Sequence, residues 1–95
     1  IYMFCAAWCP YCKKAKPIWD EVRQTYEGKK INGITIAFTD IDGEKQEEQV
    51  TEFEKEYKVK ISGFPTIYLI KGDQVVEYNA KVSKETLTEF LTTAL

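Results

Sequence analysis

The chain has 95 residues, enough for one small domain that buries about 60–65% of the surface its unfolded form exposes. A hydrophobic fraction of 44% and a charged fraction of 29% describe an ordinary globular protein rather than a disordered or fibrous one. The net charge of −2 leaves no basic footprint for nucleic acid, and no apolar run is long enough to span a membrane.

The opening run "IYMFCA" (Ile1–Ala6) is apolar throughout and too short for a helix, which predicts a strand buried on both faces. A helix follows, because Pro10 suits a first helical turn, where its missing N–H costs nothing. Tyr11, Ala15, Ile18, Trp19 and Val22 form its apolar stripe, and Pro17 is expected to kink the helix without ending it. "EGKKING" (Glu27–Gly33) reads as a loop and "ITIAFT" (Ile34–Thr39) as the second strand. After a turn at "DIDGE", Val50, Phe53 and Tyr57 keep helical spacing through the charged segment Glu44–Tyr57, whose Glu and Lys residues form a solvated face. "TIYLI" (Thr66–Ile70) and "VVEYN" (Val75–Asn79) read as a hairpin turning at Gly72-Asp73. Ser83 can cap a last helix, Lys84–Leu95, that faces the core with Leu87, Phe90, Leu91 and Ala94.

The resulting order is β-α-β-α-β-β-α, an α/β fold with a mixed four-stranded sheet flanked by helices. Its first half is a βαβ crossover, expected to be parallel and right-handed. Residues 1–95 form a single domain on this reading. The chain begins within a strand and without an initiating Met, so further N-terminal residues are expected in the full protein.

All three cysteines, Cys5, Cys9 and Cys12, lie in "FCAAWCPYCKKAKPIW". Spacing alone admits metal ligands, a structural staple or a redox pair. Cys9 and Cys12 are three apart at a helix start, which puts both sulfurs on one side and within bonding reach. Cys9 there meets unpaired N–H groups and the positive end of the helix dipole, with Lys13, Lys14 and Lys16 adding charge. A fall in its pKa from about 8.5 to about 7 would raise its thiolate fraction at neutral pH from a few per cent to about half. Position assigns an exposed attacking thiol to Cys9 and a sheltered resolving thiol to Cys12. Cys5 reads as a small packed residue under the helix.

At this point the chain resembles the thioredoxin superfamily over nearly its whole length. "WCPYCKKAKP" is similar to the family's Trp-Cys-x-x-Cys followed by a proline, and "KISGFPT" to the Gly-x-Pro-Thr loop facing the cysteines. "YNAKVSKETLTEFL" resembles the end of protein disulfide isomerase domains. The resemblance implies catalytic Cys9 and Cys12, and a cis peptide bond at Pro65 that turns the Phe64 backbone toward the sulfurs. It also implies a substrate-contacting rim of Trp8, Pro10, Tyr11, Phe64 and Pro65. Lys13 and Asp42 are candidates for tuning the thiols, and Trp19 for the core.

Two departures stand out. The buried acid that thioredoxins carry six residues before the attacking Cys is here Met3, and its lysine partner on the second strand is Phe38. Losing both avoids a buried unpaired charge, and leaves water or Asp42 to take the proton from Cys12. Cys-Pro-Tyr-Cys is similar to glutaredoxins, but the sequence after Pro65 lacks their Gly-Gly pair, which favours a protein disulfide over glutathione. The implied function is a protein-disulfide oxidoreductase, acting as a reductant, with no cofactor beyond its own disulfide and no metal. Its partners are protein disulfide substrates and a reductase or thiol donor, without nucleic acid or membrane. A cytoplasmic monomer is expected, with the endoplasmic reticulum, periplasm or secretion left open.

Three other readings compete. A redox-inactive domain could capture peptides at Phe64–Pro65, but the intact Cys-x-x-Cys opposes this. The three cysteines also resemble the cluster signature of radical S-adenosylmethionine enzymes, which need a partial barrel well beyond this length. Structural zinc lacks a fourth soft ligand, because the chain has no His and no second Cys-x-x-Cys.

Overall fold

The protein is described by a computed structural model covering residues 1–94. In chain order the elements are β1 (Tyr2–Cys5), α1 (Pro10–Tyr26), β2 (Lys30–Ile31), β3 (Ile34–Thr35), β4 (Thr39–Asp42), α2 (Glu47–Tyr57), β5 (Thr66–Lys71), β6 (Gln74–Glu77) and α3 (Lys84–Ala94). Four strands form the main sheet in the order β4-β1-β5-β6. β1 runs parallel to β4 and antiparallel to β5, and β6 returns antiparallel to β5. β1 therefore has a partner on each side, as its unbroken apolar run predicts.

Side-chain alternation divides the core in two. Met3, Ile67 and Leu69 face Ala15, Trp19 and Val22 of α1 and Leu87 and Leu91 of α3. Phe4, Ile41 and Tyr68 point the other way and pack on Phe53 of α2. Helices thus cover both faces of the sheet, and the end of β1 hands directly over to α1. Ser83 Oγ accepts the Thr86 N–H at 3.1 Å, which is the expected cap. The expected last residue of that helix, Leu95, lies outside the described residues. Among the described residues, no helix is long and apolar enough to cross a membrane.

The strand expected at Ile34–Thr39 is corrected. Asn32 and Gly33 take positive φ, 53° and 80°, and close a small hairpin between β2 and β3, so Glu27–Gly33 is not a plain loop. The crossover strand is instead Thr39–Asp42, in register Tyr2↔Thr39 to Cys5↔Asp42. Ile36 and Phe38 are buried from the intervening extended segment. Phe38, expected on the second strand, precedes it. α2 begins at Glu47 rather than Glu44, because the Asp42 carboxylate accepts the N–H groups of Glu44 and Lys45 and holds them in a turn.

Candidate active site

Cys9 is the N-cap of α1 and Pro10 its first helical residue. The extended backbone of Cys9 (φ −76°, ψ 119°) leaves its side chain at the mouth of the helix, where the first N–H groups lack partners. The Phe64–Pro65 peptide bond is cis, as expected, and the Cys9 thiol donates to the Phe64 carbonyl at 3.6 Å. Phe64 and Cys5 pack against the buried cluster of Ala6, Cys9 and Cys12.

The two thiols differ in environment and not in cover. Cys9 and Cys12 are each 4% exposed, which corrects the expectation of an exposed Cys9. The Phe64 loop, brought in from far along the chain, shelters it. The backbone N–H of Cys12, with further help from the Cys12 thiol and the Tyr11 N–H, holds the Cys9 thiol below its ordinary pKa. Burial pushes Cys12 up. Burial also pushes Cys5 well above the ordinary thiol range, with its hydrogen-bonding contact to Cys12 acting the same way.

The sign of the Cys9 shift gives a pH prediction. A depressed pKa keeps the thiolate populated below the ordinary value of about 8.5, and it is lost only as pH falls through the lower, folded value. Iodoacetamide alkylation of the reduced protein is therefore expected at Cys9 first, with a rate profile shifted acid of a free cysteine. A midpoint at or above that of a free cysteine would contradict the geometry.

Trp8 and Tyr11 are 63% and 70% exposed and flank the thiols. The Trp8 and Phe64 rings meet edge to face at 6.4 Å, so an apolar rim surrounds Cys9. Pro10 is exposed and Pro65 half-buried. Behind Cys12 lies a cavity of about 250 Å³, lined by Cys5, Cys12, Lys13, Lys16, Asp40 and Asp42 among others. Asp42 is held below the usual carboxylate range by the N–H groups of Lys45 and Glu44. Met3 and Phe38 are buried in the core, 1% and 5% exposed, in the places where the resemblance leads one to look for an acid and a lysine.

Two features escaped sequence reasoning. The first is the pair Lys16–Asp40, at 2.7 Å, with the Trp19 indole N–H also donating to Asp40. A buried Trp needs an acceptor for its N–H, and that need was the available signal. The second is Gly43, which donates its N–H to the Cys5 carbonyl at 2.7 Å and lies close to the Phe64 ring. An added Cβ would collide with that ring. Gly43→Ala is expected to cost about 1–3 kcal/mol by overpacking. Urea denaturation checks this, and an unchanged midpoint would show that the Phe64 loop yields freely.

A family model described as Thioredoxin matches residues 1–93. The chain belongs to the thioredoxin family. Protein disulfide-isomerase TMX3 of Homo sapiens is 36% identical over 87 residues, covering 92% of this chain and 17% of that protein. The protein disulfide-isomerase of Gallus gallus is 34% identical over 91 residues, covering 93% of this chain and 15% of that one. A crystal structure of the J-Trx1 fragment of ERdj5 shares the fold with a TM-score of 0.72 at 19% identity, over 98% of this chain and 39% of that fragment. The matched region of this chain is a thioredoxin domain. It spans less than a fifth of the length of the two curated relatives named above. Among its described residues, no group of three or more His, Cys, Asp or Glu side chains is arranged to hold a metal ion.

Proposed function

We propose that this domain exchanges disulfides with protein substrates through Cys9 and Cys12, in the reducing direction. The observation that carries the reading is the hydrogen-bonded Cys9 sulfur at the mouth of α1, facing the Phe64 carbonyl. The Cys9 thiolate attacks one sulfur of a substrate disulfide, and the other substrate sulfur leaves as a thiolate. Cys12 then loses its proton and attacks Cys9 Sγ. The Cys9–Cys12 bond forms as the mixed disulfide breaks, and the reduced substrate departs.

Cys9 is the nucleophile because its thiolate is the stabilised one, and Cys12 is the resolver because it lies within reach of Cys9 and is the less acidic of the two. Trp8, Pro10, Tyr11, Phe64 and Pro65 form the substrate-facing rim, with an extended peptide pairing on the Phe64 backbone. The apolar rim favours protein segments over glutathione. A reductase or dithiol returns the domain to its reduced state, and no cofactor beyond the disulfide takes part. We place it, as one monomeric domain of a larger protein, in the endoplasmic reticulum in preference to the cytoplasm, because its curated relatives are disulfide isomerases. Lys13 and Asp42, on the cavity wall, bias the Cys12 proton.

Insulin reduction with dithiothreitol as electron source tests the reading. Turnover well above dithiothreitol alone is expected, and a rate equal to that background would contradict it. The buried Met3 and Phe38 also imply slow resolution, since neither can accept the Cys12 proton. Stopped-flow mixing is expected to accumulate mixed disulfide for longer than in a thioredoxin carrying the buried acid. Equally fast resolution would overturn the role given to these two positions.

A further inference from the structure

Cys5 was read from the sequence as a packed bystander, yet its surroundings are those of a participant. It shares the wall of the cavity behind Cys12, and it packs on the Ala6–Cys9–Cys12 cluster. Of the three thiols, Cys5 and Cys12 line that cavity and Cys9 does not, while Cys9 and Cys12 sit together in the buried cluster. Cys12 thus shares surroundings with both other thiols, with Cys5 on the cavity wall and with Cys9 in the cluster, which makes it the central sulfur of three. Thiol–disulfide exchange requires this arrangement, an attacking sulfur and a leaving sulfur disposed about a central one. The cavity gives Cys5 room to move and water access for its proton. Lys16 lies on the same wall.

We propose that Cys5 is a third redox thiol, which attacks the oxidised pair at Cys12 and converts the Cys9–Cys12 disulfide into a Cys5–Cys12 disulfide. The inference rests on the reading of Cys9 as nucleophile given above. Cys5 gives its proton to cavity water, and its thiolate attacks Cys12 Sγ. The Cys5–Cys12 bond forms as the Cys9–Cys12 bond breaks, and the electron pair leaves on Cys9. No external oxidant or reductant enters, because one disulfide and one thiolate are present before and after. The departing sulfur is the one the helix mouth stabilises as thiolate, and a better leaving group leaves faster.

The product is an oxidised domain whose nucleophile is free. Its Cys9 thiolate can open a substrate disulfide, but Cys12 is occupied and cannot resolve the adduct. The released substrate thiolate must attack another substrate disulfide or return to Cys9. The net result is rearrangement of substrate disulfides with no net reduction. Cys5 thereby divides the domain's work between reduction, from the dithiol form, and isomerisation, from the Cys5–Cys12 form.

Peptide mapping of the oxidised wild-type protein, after equilibration without added thiol, acid quench and alkylation, tests this directly. Two isomers are expected, one of them with Cys5–Cys12 bonded and Cys9 alkylated. Alkylated Cys5 in every oxidised chain would overturn the proposal. The variant Cys9→Ala provides a second arm, expected to form an internal Cys5–Cys12 disulfide in a glutathione buffer. A Cys9→Ala protein carrying only glutathione adducts, with no internal bond, would likewise count against it. Insulin reduction on the same wild-type sample separates the two ideas: inactivity there removes the Cys9 reading, while the mapping alone decides whether the three sulfurs exchange.

Discussion

Cys9→Ser is expected to bring insulin reduction down by ~10³-fold or more, to the level of dithiothreitol alone, because the attacking and resolving thiols act as one unit. A serine hydroxyl cannot be ionised by a helix N-terminus at neutral pH, whereas the Cys9 thiol is lowered by the N–H groups of Cys12 and Tyr11. The substitution is nearly isosteric, and the side chain can still donate to the Phe64 carbonyl. Loss of activity with an unchanged denaturation midpoint would therefore report chemistry and not folding. Activity within a few-fold of wild type would remove Cys9 from the reaction.

Trp19→Ala is expected to destabilise the domain by about 3–5 kcal/mol, the usual cost of emptying a large aromatic site. Trp19 is fully buried between α1 and the sheet, and its ring meets Phe38 edge to face at 5.1 Å. Its indole N–H is one of two donors anchoring Asp40, the other being the Lys16 ammonium. The loss has two parts, a cavity in the larger core and a carboxylate left with one exposed partner. Trp19→Phe refills much of the volume but omits the N–H, and is expected to lie between the two. Urea unfolding of all three proteins measures the ordering, and equal stability of Trp19→Phe and Trp19→Ala would show that volume contributes nothing.

The site was legible in the sequence wherever its geometry is local. Cys9, Pro10 and Cys12 sit on one helical turn, so their spacing carries their arrangement. The Phe64–Pro65 loop was legible through the resemblance, and its bond is cis as implied. The cover over Cys9 was not legible, because it comes from Phe64, 55 residues away. Cys5 is packed under the helix as read, and its neighbours there were not legible for a related reason. The crossing of α1 over the end of β1 brings Cys12 and Cys5 to one cavity wall, which local spacing does not disclose.

The fold shows the same division. The Gly72-Asp73 turn and the Ser83 cap are short-range features and were read correctly, as were the helical stripes apart from Tyr11, which is exposed. The strand at Thr39–Asp42 was missed because "TDID" carries two acids and buries only Ile41, while the richer run "ITIAFT" lay just before it. That run is divided by function: Ile34 and Thr35 close a hairpin on Asn32-Gly33, and Ile36 and Phe38 fill the core from an extended segment. The Asn-Gly signal was present and outweighed by hydrophobicity. Lys16–Asp40 is a contact between a helix and a strand far apart in sequence, and only the fold discloses it.

The role of Cys9 is tested most directly by trapping. Cys12→Ser, reduced and mixed with a disulfide-bonded protein substrate, lacks the resolver and should retain its mixed disulfide through an acid quench. Peptide mapping of the trapped species is expected to find the substrate sulfur bonded to Cys9, with Cys5 alkylated. A substrate bonded to Cys5, or no covalent species at all, would contradict the assignment of Cys9 as the attacking thiol.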